Sequence, residues 1–304
     1  MAGLIQLAHE TRISEMKFLI IQENGRHEKN RHFRESICLK RSLNRLGHEC
    51  VVWGLGHDNF YIPFNDISKD FDVVLSLENY DTGWHPSIND FKGLKVFWSI
   101  DSHCALSLHL AHCKKSKYDL LLNSTEAYIE RYRGLVSSAV WFPNAYPSDL
   151  ISPCPSIERS HTVGFCGSSI PQRNALIDTI DKTITVKRDT FVIGDDMVKA
   201  LSSYKIAFNY NIADDINYRT FEATAAGAML LTNYTPNLEK LFEIGKEVVT
   251  YSSVNDLIDK ISYYAMQDEE RSTIASKGAA RSRGDHSYDI RARQFISIIN
   301  DLRS

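Results

Sequence analysis

Short apolar runs alternate with amphipathic stretches along the whole chain, and this alternation constrains the fold more than any other feature. An apolar run at Lys17–Ile21 is followed by an amphipathic stretch at Phe33–Leu46, which Gly47 ends, and then by a second run at Cys50–Trp53. Strand, helix and strand in this order predict a βαβ unit. Further strands are expected at Val73–Leu77, Leu94–Ser99, Leu120–Asn123 and Ala139–Phe142, with helices at Ala105–Lys115 and Thr125–Arg133.

A linker divides the chain, because Asn144–Glu158 holds three prolines among short polar residues. The alternation then restarts, so we predict an α/β protein of two domains, residues 1–150 and 151–285, each a parallel sheet covered by helices. Strands are expected at Thr162–Cys166, Phe191–Gly194, Lys205–Asn209, Met229–Thr232 and Glu247–Tyr251. Helices are expected at Arg173–Ile180, Met197–Ser203, Asn217–Gly227, Val254–Met266, Asp268–Arg281 and Asp289–Leu302.

Composition excludes several classes of protein. A length of 304 residues leaves room for two domains, and 43% hydrophobic with 24% charged residues is typical of a soluble globular chain. A formal charge of −3 argues against general binding to nucleic acid or anionic membranes. The first ten residues lack the features of a signal peptide, and six scattered cysteines without a C-x-x-C pair suit reduced thiols. We therefore expect a cytoplasmic protein.

The segment Asn217–Gly227, Asn-Tyr-Arg-Thr-Phe-Glu-Ala-Thr-Ala-Ala-Gly, carries the clearest chemistry. A carboxylate at Glu222 can accept hydrogen bonds from both hydroxyls of a ribose, and free N–H groups at the helix start can bind phosphate. Arg219 lies one turn earlier on the same face. The alternative is an ordinary ion pair on a surface helix, which stabilises by only a few tenths of a kcal/mol. The small residues Ala223–Gly227 favour a closely packed helix instead.

This segment resembles the nucleotide-sugar motif of GT-B glycosyltransferases, in particular the CgeB-like spore-protein family, whose pattern is N-x-R-x-F-E-x-x-A-x-G. Further blocks resemble that family in the same order and extend the resemblance over roughly residues 95–295. They are Trp98–Ser102, Val140–Ala145, Val163–Ser168 followed by Arg173, and His286–Ala292. The resemblance implies a GT-B fold, in which two Rossmann-like domains face each other across a cleft and residues 286–304 pack back on the first domain.

The resemblance also implies a donor site in the second domain. The loop with Gly167 and Ser168, together with Arg173, would face the diphosphate, beside Asn217, Arg219 and Glu222. An acid eight positions before the ribose carboxylate contacts the sugar in many retaining relatives, which here is Asp214. Asp215 is the alternative, and both could equally be solvated loop residues or helix caps. A dinucleotide site is disfavoured, since no G-x-G-x-x-G is present and Asp195 and Asp196 follow the wrong kind of segment.

Acceptor-side candidates follow the strand that ends at Ser99. Asp101 and His103 match the acidic residue and the histidine that relatives keep near the sugar or acceptor. Zinc is an alternative, because His109, His112 and Cys113 would share one helix face. Three ligands on one helix would crowd a tetrahedral ion, however, so we interpret His109 and His112 as surface histidines. The basic loop Asn24–His32 follows the first strand and is a candidate acceptor-binding or lid loop.

These residues predict a glycosyltransferase that moves a sugar from a nucleoside-diphosphate sugar to an acceptor hydroxyl. No cofactor or metal is expected, because the D-x-D at Asp70–Asp72 precedes its strand and is interpreted as a cap. Retention of anomeric configuration follows from the resemblance. A sugar epimerase, a phosphorylase-like enzyme and a non-catalytic sugar-nucleotide-binding scaffold remain alternatives. The acceptor could be a protein, a glycan, a small metabolite or a modified nucleic acid, although nucleic acid is disfavoured by the charge.

Overall fold

The computed structural model describes residues 15–77, 81 and 83–303. The first ten residues, on which the signal-peptide expectation rests, lie outside this part. Within it, no helix combines the length and the apolar character that a membrane crossing requires.

The first domain contains a parallel sheet of six strands in the order β2-β1-β3-β4-β5-β6. The strands are β1 (Lys17–Ile21), β2 (Glu49–Trp53), β3 (Val73–Leu77), β4 (Leu94–Ser99), β5 (Leu120–Asn123) and β6 (Ser138–Trp141). All six predicted strands are confirmed, with ends that differ by at most one residue. Most positions of the central strands are buried, as expected when helices cover both faces of a parallel sheet.

Helices of the first domain connect these strands. They are α1 (Glu35–Arg45), α2 (Phe64–Ile67) and α3 (Ser102–Ser116). The segments Glu28–Phe33, Ser68–Asp70 and Glu126–Tyr132 form 3-10 helices. The expected helix at Phe33–Leu46 is therefore split, because Arg34 adopts an extended conformation between the 3-10 helix and α1. The basic loop predicted at Asn24–His32 is partly this 3-10 helix.

The second domain contains a parallel sheet of five strands in the order β11-β10-β9-β7-β8. They are β7 (His161–Gly167), β8 (Val186–Thr190), β9 (Tyr204–Phe208), β10 (Met229–Asn233) and β11 (Val249–Tyr251). The strand predicted at Phe191–Gly194 is wrong. The edge strand is Val186–Thr190, whose sequence Val-Lys-Arg-Asp-Thr carries the charges that edge strands tolerate, while the apolar residues after it form a loop.

Helices of the second domain occur between and after these strands. They are α4 (Pro171–Asp181), α5 (Asp195–Ser203), α6 (Tyr218–Ala225), α7 (Leu238–Leu241), α8 (Val254–Met266), α9 (Asp268–Asp285) and α10 (Tyr288–Arg303). The short helices α2 and α7 were not predicted, since four residues carry too little periodicity to read. The predicted order of all longer helices is confirmed.

The final helix leaves the second domain and packs on the first sheet. Tyr288, Phe295 and Ile299 are buried in the same apolar cluster as Phe18 of β1. The rings of Phe18 and Phe295 have their centroids 5.7 Å apart. The chain therefore crosses between the domains twice, once after β6 and once before α10.

The two crossings lie side by side and are joined by hydrogen bonds. The N–H of Tyr146 donates to the carbonyl of His286 at 3.2 Å, and the N–H of Tyr288 donates to the carbonyl of Tyr146 at 3.0 Å. The buried guanidinium of Arg291 donates to the carbonyls of Pro143 at 2.8 Å and Asn144 at 3.2 Å. A buried cation that satisfies several carbonyls gives this junction a defined geometry.

Candidate active site

A cavity of about 340 Å³ lies between the carboxyl ends of the two sheets. Residues of both domains line it, and every residue predicted for the site belongs to it except Asp214. Its lining includes Asp101, His103, Gly167, Ser168, Arg173, Asp215, Asn217, Arg219 and Glu222. Larger cavities of about 520 and 660 Å³ occur elsewhere in the second domain, but they contain none of these residues. The predicted residues, which are distant in sequence, thus converge on one place.

Helix α6 supplies the ribose-binding candidate and begins as its sequence predicts. Asn217 caps the helix, because its Oδ1 accepts a hydrogen bond from the N–H of Thr220 at 3.3 Å. The small residues allow close packing, since Ala223 and Ala225 are buried and Thr224 bonds to Ser282 of α9 at 2.6 Å. The helix is therefore fixed against the domain, with its N-terminus directed at the cavity.

The ion pair between Arg219 and Glu222 is present but does not lie on an open surface. Nη1 of Arg219 is 2.9 Å from Oε2 of Glu222, with side chains 18% and 12% exposed, although the N–H direction does not meet hydrogen-bond geometry. Burial raises the pKa of Glu222, the cation of Arg219 lowers it, and the charge of Glu35 raises it further. A desolvated carboxylate beside a cavity, with a cation next to it, is suited to a polar ligand such as a ribose diol.

Arg173 lies at the start of α4 and directs an uncompensated cation at the cavity. Its guanidinium donates to the carbonyl of Tyr210 at 3.1 Å and to Oγ of Ser168 at 2.8 Å. Among the described residues no carboxylate is hydrogen-bonded or ion-paired to it. Burial lowers its pKa, and the neighbouring cation of Arg219 lowers it further. Two neighbouring guanidinium groups, of which only Arg219 is paired with a carboxylate, favour an anionic ligand.

The two acids before α6 occupy different environments. Asp214 is exposed and lies outside the cavity lining, whereas Asp215 is buried and lines the cavity. The hydroxyl of Thr125, in the first domain, donates to Oδ1 of Asp215 at 2.9 Å. Burial raises the pKa of Asp215 to about 6, with a further contribution from the charge of Asp101. The acid that reaches the cavity is thus seven positions before Glu222 rather than eight.

Asp101 and His103 face these acids from the first domain. Asp101 precedes α3 in a left-handed conformation, with φ of 50°, and His103 is half-buried with an Nδ1 that has no hydrogen-bond partner among the described residues. One ligand atom from each of Asp101, His103 and Asp215 lies within 4.8 Å of the others. In the described part of the chain, these are the residues that could hold a divalent cation.

His109 and His112 of α3 are core residues, so our interpretation of them as surface histidines is wrong. Nδ1 of His109 lies 2.8 Å from Oγ of Ser99, and Nε2 of His112 lies 2.7 Å from the hydroxyl of Tyr118. Spacing of three and four residues places them on the helix face that packs on the sheet. Each ring nitrogen named here is engaged by a hydroxyl and is therefore not open to a metal ion.

Sequence reasoning missed Asn209, which directly follows β9 and lines the cavity. Its side chain is buried and lies within 3.1 to 3.5 Å of polar atoms of Asn211, Asn217, Thr220 and Thr232. This network fixes the loop that carries Asp215 against the start of α6. The available signal was the pair of asparagines in Asn209–Asn211 at the carboxyl end of an apolar strand, where ligands bind in such sheets.

The basic loop of the first domain contacts the second domain rather than standing free. The carbonyl of Lys29 lies against Gly194, where an added Cβ would approach it to 2.4 Å. The N–H of Gly194 donates to Oδ1 of Asn30 at 3.3 Å, and His32 lies 3.5 Å from Asp195. The 3-10 helix Glu28–Phe33 therefore borders the cleft at the loop that follows β8.

Comparison with known proteins shows what the second domain is similar to. Residues 165–297, which are nearly the whole second domain and somewhat under half of the chain, match a family described as glycosyl transferase-like. They include Arg173, Arg219 and Glu222. Nearly the whole second domain is therefore similar to glycosyl transferase-like proteins. The CgeB-like subfamily stays a prediction, and no curated protein sequence matches the chain.

Solved structures share the fold of this chain over nearly its whole length. A sucrose-phosphate synthase from Thermosynechococcus elongatus is 11% identical, with 95% of this chain and 99% of that chain covered and a TM-score of 0.67. HepE from Anabaena, in complex with UDP and glucose, is 13% identical, with 94% and 100% covered and a TM-score of 0.70. An alpha-glucosyltransferase in complex with UDP and a 13-mer DNA is 11% identical, with the same coverages and a TM-score of 0.65. At these identities the likeness shows the fold alone, and it confirms two Rossmann-like domains with parallel sheets.

Proposed function

We propose that the protein transfers a sugar from a UDP-sugar to an acceptor hydroxyl, with retention of anomeric configuration and without a metal. The observation that carries this proposal is a single interdomain cavity that brings Glu222 and Arg173 of the second domain together with Asp101 of the first. The choice of UDP is supported by the structures of HepE and of the alpha-glucosyltransferase, which were both obtained with UDP. Retention remains an implication of the family resemblance.

The donor half of the cavity matches the parts of a nucleotide diphosphate. The carboxylate of Glu222 would accept hydrogen bonds from the two ribose hydroxyls. Arg173 and the N–H groups at the start of α6 would bind the diphosphate, as helix N-termini do for phosphates. Arg219, which lies between these groups, would contribute charge to the diphosphate while it neutralises Glu222. Sugar contact by Asp214 or Asp215 is retained as part of the proposal, with Asp215 the acid that lines the cavity.

Transfer requires stabilisation of the leaving diphosphate as the bond to the sugar breaks. The buried guanidinium groups of Arg173 and Arg219 are already in place and need little reorganisation when negative charge develops. Asp101 and His103, on the opposite wall, would orient the acceptor hydroxyl or accept its proton. Closure of the two domains around the substrates would exclude water and limit hydrolysis of the donor.

The compartment and the acceptor belong to the proposal as well. All six cysteines have free thiols in the structure, which supports a reducing, cytoplasmic location. The cavity does not identify the acceptor, which could be a protein, a glycan or a small molecule.

We expect Glu222→Gln to weaken UDP binding by roughly 1.5–3 kcal/mol, because a neutral amide accepts weaker hydrogen bonds from the ribose than a carboxylate does. Since the same change leaves Arg219 without its ion-pair partner, we also expect a lower melting temperature. Titration calorimetry with UDP, well below the melting temperature, measures the affinity. Glu269→Gln, an exposed carboxylate on α9, is the control and should bind UDP as the parent does.

Unchanged UDP affinity in Glu222→Gln would remove this residue from the donor site. Binding of UDP must first be present in the parent, and it should raise the melting temperature by mass action. If another nucleotide diphosphate raises the melting temperature of the parent protein and UDP does not, the proposed donor is wrong but the proposed site is not.

We expect transfer to survive treatment with EDTA, because the diphosphate would be held by two guanidinium groups and a helix end. The measurement is sugar transfer, or donor hydrolysis, before and after chelation and with Mn²⁺ or Mg²⁺ restored. Loss of activity with EDTA and recovery with metal would contradict this mechanism. In that case Asp101, His103 and Asp215 are the residues that would hold the ion.

A further inference from the structure

Phe191 follows β8 at the rim of the cleft and combines two unfavourable features. Its backbone has a φ of +58°, in the left-handed region that bulky side chains rarely adopt, and its side chain is 75% exposed. Single exposed apolar residues are common, but exposure together with backbone strain is not. Such strain persists where the surrounding structure imposes it, and it is concentrated at ligand-binding sites.

The left-handed conformation turns Phe191 away from the core while its neighbour is packed. Val192 packs on the apolar cluster of the second domain that also contains Phe33 of the first domain. The N–H of Phe191 donates to the carbonyl of Gly167 at 3.4 Å. Because Gly167 lines the cavity with Glu222, the backbone of Phe191 lies one hydrogen bond away from the lining of the proposed donor site.

The surroundings of Glu222 define where the base of a bound nucleotide would lie. Helices α5 and α6 pack against each other, and α5 starts directly after the Phe191–Gly194 loop. On the facing side lies Glu35, at the start of α1, whose negative charge raises the pKa of Glu222. The 3-10 helix that precedes α1 contacts Gly194. If the phosphates bind at the start of α6 and the ribose at Glu222, a base directed toward the Phe191–Gly194 loop would enter the space between this loop and the 3-10 helix.

We propose that Phe191 is the platform on which the nucleobase of the donor stacks. The proposal rests on the proposed function and adds a base-contacting residue to it. A phenyl ring offers a flat face to any base, and its position on a strained loop holds that face outside the core. Stacking of a base on an aromatic side chain tolerates different bases, so the ring would contribute affinity more than selectivity between them.

The test compares a ligand that has a base with one that lacks it. In Phe191→Ala we expect the Kd for UDP to rise about ten-fold or more, whereas the Kd for inorganic pyrophosphate stays that of the parent. Tyr263→Ala is the matched control, because Tyr263 is a half-exposed aromatic residue on α8, which follows the opposite edge strand β11. It should bind both ligands as the parent does.

A second variant separates the ring from the backbone. Phe191→Gly relieves the positive φ, so we expect an unchanged or higher melting temperature together with the same loss of UDP affinity. Equal loss for UDP and pyrophosphate, or no loss for UDP, would overturn the stacking role. If the parent binds neither UDP nor any other nucleotide, the proposed function itself fails. If the parent binds UDP and both Phe191 variants bind it equally well, only the stacking role fails.

Discussion

Replacement of Asp101 or His103 by alanine is expected to lower kcat by about 10²–10⁴-fold, the usual contribution of a positioned general acid or base. Both side chains stand on the first-domain wall of the cavity, opposite Arg173 and Glu222. Nδ1 of His103 is buried and has no hydrogen-bond partner among the described residues, so the ring is not held by a bond at this nitrogen. UDP affinity should change little, because the groups proposed to bind UDP belong to the second domain.

The measurement is steady-state transfer with calorimetric UDP binding on the same samples. Asp90→Ala, an exposed carboxylate of the first domain before β4, is the control and should transfer at the parent rate. Equal loss of kcat and of UDP affinity would indicate a general disturbance of the cleft instead of a role in acceptor activation. Parent-like kcat in both Asp101→Ala and His103→Ala would show that the catalytic assignment is wrong although the fold is right.

Acid is expected to destabilise the protein strongly because it contains buried neutral histidines. Burial lowers the pKa of His109, His112 and His286 to about 4, and that of His85 to about 3. Their pKa in the unfolded chain is near 6.5, so the unfolded state binds more protons as the pH falls below that value. The free energy of unfolding should therefore fall from about pH 6.5 downward, and the loss continues to about pH 4.

The size of this effect is large compared with the stability of a typical domain. At pH 5 each histidine with a native pKa of about 4 lowers the free energy of unfolding by on the order of 2 kcal/mol. Three such histidines lower it by on the order of 6 kcal/mol. Single-domain stabilities are about 5–15 kcal/mol. Melting temperatures between pH 7.5 and 5 measure the loss. In His112→Phe the chain takes up one proton fewer on unfolding, so the melting temperature should fall less between pH 7.5 and 5. A fall equal to that of the parent would contradict the buried neutral state of this ring.

The predictions from sequence succeeded where a local pattern and the tertiary environment agree. Strands β1, β3, β4 and β5 were located from apolar runs because both faces of a central parallel strand are buried. The cap at Asn217 and the small residues of α6 were also readable, since both act within one helix. Edge strand β8 was missed because its charged residues carry no hydrophobic pattern, and the apolar Phe191–Gly194 run beside it was mistaken for the strand.

Sequence by itself determined the two α/β domains and the chemical character of Glu222, Arg219 and Arg173. Only the tertiary structure decided which acid enters the cavity, because one residue of loop geometry separates exposed Asp214 from buried Asp215. It also decided that His109 and His112 belong to the core. Burial and the approach of two domains depend on contacts between residues far apart in the chain, and no local pattern of side chains encodes those distances.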